Sequence, residues 1–189
     1  MTVVTSVLYY DLASPYAYLA VVRAADVLGE APRLQPVLVG AIFSRRGRGS
    51  WALTDQRDAG EAEIERRAAA YRLPPVVWPS GWPLNSLGPM RAAVHAERQG
   101  KGDQFARAVF EREFARGEDI SDVALLDEIG RSVGVDQIRE AIADPQIKAA
   151  LREATEQAWQ RGVPGVPTLE AGRRLYFGDD RLEEAARAA

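Results

Sequence analysis

Residues 3–10 are almost continuously apolar, rich in β-branched and aromatic side chains, and the run stops at Asp11-Leu12-Ala13-Ser14-Pro15. That order predicts a strand, a tight connection and a helix start. Ser14 stands as an N-cap, its side-chain oxygen able to accept a free N–H of the first turn, with Pro15 at the first helical position, where no N–H is needed. The helical pattern of Pro15–Leu28 stops at Gly29, and residues 34–39 supply a second apolar strand closed by Gly40. The opening therefore reads as a β-α-β unit.

From about Thr54 the pattern changes. Residues 57–71, 84–99, 104–116, 123–133, 135–143 and 145–161 are helical in period or composition. Between the first two of these, residues 73–83 hold four prolines and two tryptophans. They cannot form a regular element and are expected to fold over something. Residues 167–171 and 173–177 return to strand patterning around Gly172, and 179–189 read as a last helix. A β-α-β half followed by a β-β-α half is what a thioredoxin-type sheet requires. The expected organisation is a first half-domain over 1–50, an inserted helical domain over 51–160 and a second half-domain over 161–189.

Composition narrows the chemistry. The 24 Lys and Arg against 27 Asp and Glu leave a net charge of −3, without the basic field that would steer nucleic acid. No apolar run approaches the roughly 20 residues of a membrane span, and no basic-then-apolar leader opens the chain, so a soluble cytoplasmic protein is expected. Cysteine is absent, which excludes a disulfide, a zinc–thiolate cage and any redox cycle on the protein's own thiols. Sulfur chemistry would need an external thiol. The single histidine, His95, falls in a helical pattern and reads as a surface or boundary residue; no metal site is expected.

Three constellations carry candidate chemistry. The first is Ser14, which either caps its helix or also stabilises a thiolate beside the helix N-terminus, where free N–H groups and the dipole favour negative charge. A hydrogen bond to a charged group contributes roughly 1.5–3 kcal/mol and a pKa unit is about 1.4 kcal/mol, so a serine donor alone could lower a bound thiol by about one to two units. The second is Gly162-Val163-Pro164-Gly165-Val166-Pro167-Thr168. This is either an ordinary loop or, with a cis bond before Pro167, an edge where the Val166 N–H and C=O can pair with a peptide-like ligand. The third is Asp179 and Asp180, which either cap the last helix or bind the ammonium of a γ-glutamyl group.

Taken in order, Asp11-Leu-Ala-Ser-Pro-Tyr16, Trp82-Pro-Leu-Asn-Ser-Leu-Gly-Pro-Met-Arg91, Glu118-Asp-Ile-Ser121, Pro145-Gln-Ile-Lys-Ala-Ala-Leu151, Gly165-Val-Pro-Thr168 and Phe177-Gly-Asp-Asp-Arg-Leu182 resemble the 2-hydroxychromene-2-carboxylate isomerases and their relatives, the kappa class glutathione transferases. These belong to the DsbA-like branch of the thioredoxin fold, and the resemblance runs over nearly the whole chain. It implies an α/β fold with a mixed central sheet and a large all-helical insertion. It also implies that Ser14 is the thiol-activating hydroxyl and that Val166, before a cis Pro167, pairs with the cofactor backbone. The γ-glutamyl contacts of a Ser-Asp pair fall on Asp179 and Asp180, so the serine is not kept. At Gly47-Arg-Gly-Ser-Trp-Ala-Leu-Thr-Asp55 relatives have an Asn-Pro-Pro type segment followed by a lysine, for which Arg57 is only a loose positional substitute.

The function this implies is isomerisation of an intermediate of aromatic catabolism by reversible thiolate addition, with glutathione or another low-molecular-weight thiol as cofactor. The substrate is a small aromatic, and Tyr16, Trp78, Trp82 and Asn85 are candidates to wall its pocket. Relatives suggest a homodimer. A kappa-type transferase and a non-redox binding module are the alternatives.

Overall fold

A computed structural model describes residues 6–188. Residues 3–5 of the first predicted strand and Ala189 of the last predicted helix lie outside the described residues. Four strands, β1 (Val7–Tyr10), β2 (Arg33–Pro36), β3 (Thr168–Ala171) and β4 (Arg174–Phe177), form one mixed sheet in the order β2-β1-β3-β4. Leu8 of β1 pairs with Leu34 on its parallel side and with Leu169 on its antiparallel side. Leu8, Tyr9 and Tyr10, which point alternately to the two faces of the sheet, are all buried, so β1 is covered on both faces and reads as unbroken apolar sequence. The parallel pairing needs a crossover, which α1 (Pro15–Leu28) provides. The two halves thus meet in a thioredoxin-type sheet.

Helices α2 (Val39–Arg45), α3 (Arg57–Ala70), α4 (Leu87–Arg98), α5 (Gly102–Phe110), α6 (Val123–Val133), α7 (Ile138–Ala143) and α8 (Pro145–Gln160) occupy the chain between β2 and β3, and α9 (Leu182–Ala188) closes it. Helix α9 packs on α1 and β3, while α4, α5 and α8 reach β2. Side chains that accept first-turn N–H groups start α1, α6 and α8 at Ser14, Asp122 and Asp144. Gly29 and Gly134, both at φ 78°, end α1 and α6 in the left-handed conformation that glycine adopts without strain.

The structure corrects three boundaries. The predicted strand 34–39 stops at Pro36, and Val39 already begins α2. There the Leu38 N–H is taken by Thr155 Oγ1 at 3.0 Å and the Val39 N–H by Asp11 Oδ2 at 3.0 Å. Side chains far away in sequence therefore release the backbone from the sheet. The helix predicted from residue 135 starts only at Ile138, because Gln137 turns left-handed at φ 59°. The helix predicted over 104–116 ends as α5 at Phe110 and continues as a π-helical turn, Glu111–Ala115, which carries Glu113 fully inside the protein.

Residues 73–83 form no regular element, as their prolines require. The Val77 N–H donates to the Phe114 carbonyl at 2.8 Å, pinning this segment to the π-turn, and the Trp78 and Trp82 rings lie 4.6 Å apart.

Candidate active site

At the C-terminal end of β1 a cavity of about 460 Å³ opens between the β1–α1 connection, α2 and the loop before α4. Ser14, Tyr16, Trp82, Asn85 and Val166 all line it. Ser14 is half-buried, and its Oγ accepts the Ala17 N–H at 3.2 Å. A hydroxyl that accepts in this way still has its own proton to donate. It therefore caps the helix and faces the cavity as a donor at once, beside the positive end of α1.

Asp11, which the sequence reading passed over, holds this corner together. Its carboxylate is 1 % exposed; Oδ1 accepts the Ala13 N–H at 3.1 Å and Oδ2 the Val39 N–H at 3.0 Å. Burial pushes the Asp11 carboxyl above its ordinary value, while hydrogen bonds from the Val39 N–H, the Ser86 hydroxyl and the Ala13 N–H pull it back. One side chain thus ties the connection bearing Ser14 to the start of α2. Nearby, the Glu113 carboxyl has no hydrogen-bond partner among the described residues. Burial raises it well above the usual range, and the Asp11 and Asp119 charges add to the effect.

The opposite wall is aromatic. The Trp51 ring sits 6.2 Å from Tyr16, edge to face, and 5.5 Å from Trp82. Gly60 makes room for it: a Cβ there would lie 2.2 Å from the Trp51 ring. Trp78 does not line the cavity. It backs Trp82 from outside and donates its indole N–H to Glu65 at 2.8 Å. Arg57 is also outside the lining, its guanidinium 5.7 Å from the Trp82 ring and its Nε bonded to Glu61 at 2.7 Å. His95 lies elsewhere on α4, its Nε2 2.8 Å from the Asp136 carbonyl.

Val166 borders the cavity across from Ser14, and the Val166–Pro167 bond is cis. Among the described residues, neither the N–H nor the C=O of Val166 has a protein hydrogen-bond partner, although the neighbouring Gly165 and Pro167 carbonyls accept from Thr168 Oγ1 and the Gly178 N–H.

Asp179 departs from expectation. Its side chain is buried, with Oδ1 on Arg67 Nη1 at 2.8 Å and Oδ2 accepting from the Tyr71 hydroxyl at 2.9 Å. Burial raises its carboxyl, and the Tyr71 hydrogen bond and the Arg67 charge counter the rise. This carboxylate fastens α3 to the turn before α9 and is not open to an incoming ammonium. Asp180 is the exposed member of the pair, 3.7 Å from Arg67 Nη1.

Phe43, Arg48, Ser50 and Trp51 also line the cavity and were not singled out from sequence. They lie on α2 and the turn after it, in the segment where the family pattern lapses. The placement of Asp11, the last residue before the connection, was a signal that could have been read.

A β-α-β/β-β-α sheet with a helical insertion and a capped helix start beside a cis-proline loop defines a DsbA-like architecture. The chain belongs to the DsbA-like thioredoxin domain family, whose model matches residues 5–189. It is 27% identical over 185 residues to 2-hydroxychromene-2-carboxylate isomerase of Sphingobium xenophagum, covering 93% of this chain and 92% of that protein. It is likewise 27% identical over 195 residues to human glutathione S-transferase kappa 1, covering 93% and 86%. A solved structure of a 2-hydroxychromene-2-carboxylate isomerase superposes with a TM-score of 0.85 at 22% identity, over 97% of this chain and 93% of that one.

Proposed function

We propose that the protein is a thiol-dependent isomerase of the 2-hydroxychromene-2-carboxylate isomerase type, using glutathione or a similar low-molecular-weight thiol. The observation that carries this reading is the sharing of one apolar cavity by the free proton of Ser14 and the unpartnered backbone of Val166, in a chain with no cysteine of its own. Similarity to an isomerase and to a glutathione transferase over most of the chain supports it.

The residues fit such a cofactor. Ser14 Oγ donates to a sulfur anion, and the α1 N-terminus adds its positive end. The Val166 N–H and C=O pair with the backbone of a peptide thiol. Asp180, exposed and only loosely paired with Arg67 Nη1 at 3.7 Å, is the carboxylate of the pair that an ammonium group could reach. A thiol held there would supply a reversible nucleophile for the conjugated double bond of a benzylidenepyruvate-type substrate, the chemistry that isomerisation about that bond requires. Tyr16, Trp51 and Trp82 hold the flat substrate in place and keep bulk water from the site.

The test is thiol-dependent interconversion of 2-hydroxychromene-2-carboxylate and its ring-opened benzylidenepyruvate, followed by ultraviolet absorbance. Turnover that requires added thiol is expected; none with glutathione or a related thiol would reject the isomerase. The likeness to the kappa enzyme favours a second reading, irreversible conjugation. A stable thioether product would indicate transfer, and a rearranged, sulfur-free product isomerisation.

A further inference from the structure

The last residue of α2 and the segment linking it to the Trp51 turn carry three arginines between them, and the structure divides them. Arg45 pairs with Glu156 at 2.5 Å, and both Arg45 and Arg46 lie over the Trp159 ring, at 5.6 and 5.1 Å. These two are committed to α8. Gly47, at φ 63°, then reverses the chain, with its N–H on the Ser44 carbonyl at 3.1 Å and the Arg48 N–H on the Phe43 carbonyl at 2.9 Å. The Arg48 backbone is thereby fixed at the rim of the cavity, the residue is on its lining with an exposed side chain, and among the described residues it has no ion-pair partner.

The other ionisable groups on the lining are Tyr16 and the carboxyl of Asp11, which is buried and occupied by its own loop. Among the described residues on the lining, Arg48 is therefore the one cation. Also on the lining, Asn85 Oδ1 accepts the Leu87 N–H at 3.0 Å, which leaves the Asn85 NH₂ free to donate. A planar guanidinium fork and an amide donor at the mouth of an aromatic-walled pocket match a flat, apolar body bearing one carboxylate.

We infer that Arg48 is the specificity-determining residue of the cavity and recognises a carboxylate, from the conjugated acid or from the thiol peptide. The inference rests on the proposed reaction and extends it by assigning the group that selects acids over neutral analogues. Arg48 touches no reacting atom, so its loss alters selection without removing Ser14.

Binding to the full chain is measured by tryptophan fluorescence with cinnamate and cinnamamide, and by calorimetry with glutathione and its glycyl monoethyl ester. The unaltered protein is expected to prefer at least one acid over its neutral partner by about tenfold. Arg48→Gln should bring that pair to within about twofold while leaving neutral-ligand affinity unchanged, and Arg48→Lys should restore the preference in part. Loss in the cinnamate arm assigns Arg48 to the substrate; loss in the glutathione arm assigns it to the cofactor. Equal affinity for acid and neutral partner in both pairs, or a preference that survives Arg48→Gln, overturns the inference. The fluorescence arm needs no turnover, so an inactive protein that keeps the Arg48-dependent preference would reject the isomerase and leave the recognition site standing.

Discussion

The two walls of the cavity are fixed by different physics. On the Ser14 side the positions are set by hydrogen bonds from backbone N–H groups to two side chains, Ser14 and Asp11, within a few residues of the strand end. On the Trp51 side no hydrogen bond from the described residues holds the indole: it stays where Gly60 leaves space and Tyr16 and Trp82 press on it. Hydrogen bonds fix the group that must sit within tenths of an ångström of a reacting atom. Packing fixes the surface that need only have the right shape. The first wall should therefore fail by losing structure or chemistry, and the second by losing fit.

The largest effect is expected at Asp11. Asp11→Ala removes the acceptor of two buried or half-buried N–H groups, for an expected stability loss of roughly 2–4 kcal/mol in denaturant unfolding. A loss under about 1 kcal/mol would mean that Asp11 does not join the connection to α2. Next comes Gly60→Ala, whose new Cβ overlaps the Trp51 ring. Overpacking of this kind typically costs about 1–3 kcal/mol, and weaker binding of aromatic acids should accompany it. Wild-type binding in this variant would show that the aromatic wall can yield.

The smallest expected effect is a pH slope beneath the first wall. Because the Glu113 carboxyl is raised above its ordinary value of 4.5, the folded protein binds its proton more tightly than the unfolded chain does. Its contribution is therefore most favourable below that ordinary value and is lost as pH rises through the raised one. Glu113→Gln should flatten the decline in stability above pH 4.5 that this group causes, by up to ~1.4 kcal/mol per pH unit within the window. Parallel pH profiles for the two proteins would place the titration elsewhere.

Much of the first wall was legible because its determinants are local. An apolar run ending in Asp-Leu-Ala-Ser-Pro carries the strand, the cap and the first helical residue within its own span, and α1 falls where the period and Gly29 put it. The second wall was not legible. Helix α2 begins where Thr155 and Asp11, distant in sequence, capture the Leu38 and Val39 N–H groups. With Val39 read as the end of a strand and the rest of α2 given no element, the turn that brings Arg48 and Trp51 to the cavity had no position. Asp179 fails as a local reading for the same reason: two acidic residues at a helix start look alike until Arg67 and Tyr71 arrive from α3 to claim one of them.

The central claim is that the Ser14 hydroxyl and the start of α1 hold a sulfur anion that the chain does not itself carry. The most direct measurement is the pH titration of thiolate absorbance for glutathione bound to the protein and to Ser14→Ala. Half-ionisation about one to two units below that of the free thiol is expected with Ser14 and a return toward the free value without it. The same titration midpoint in both proteins would contradict the account.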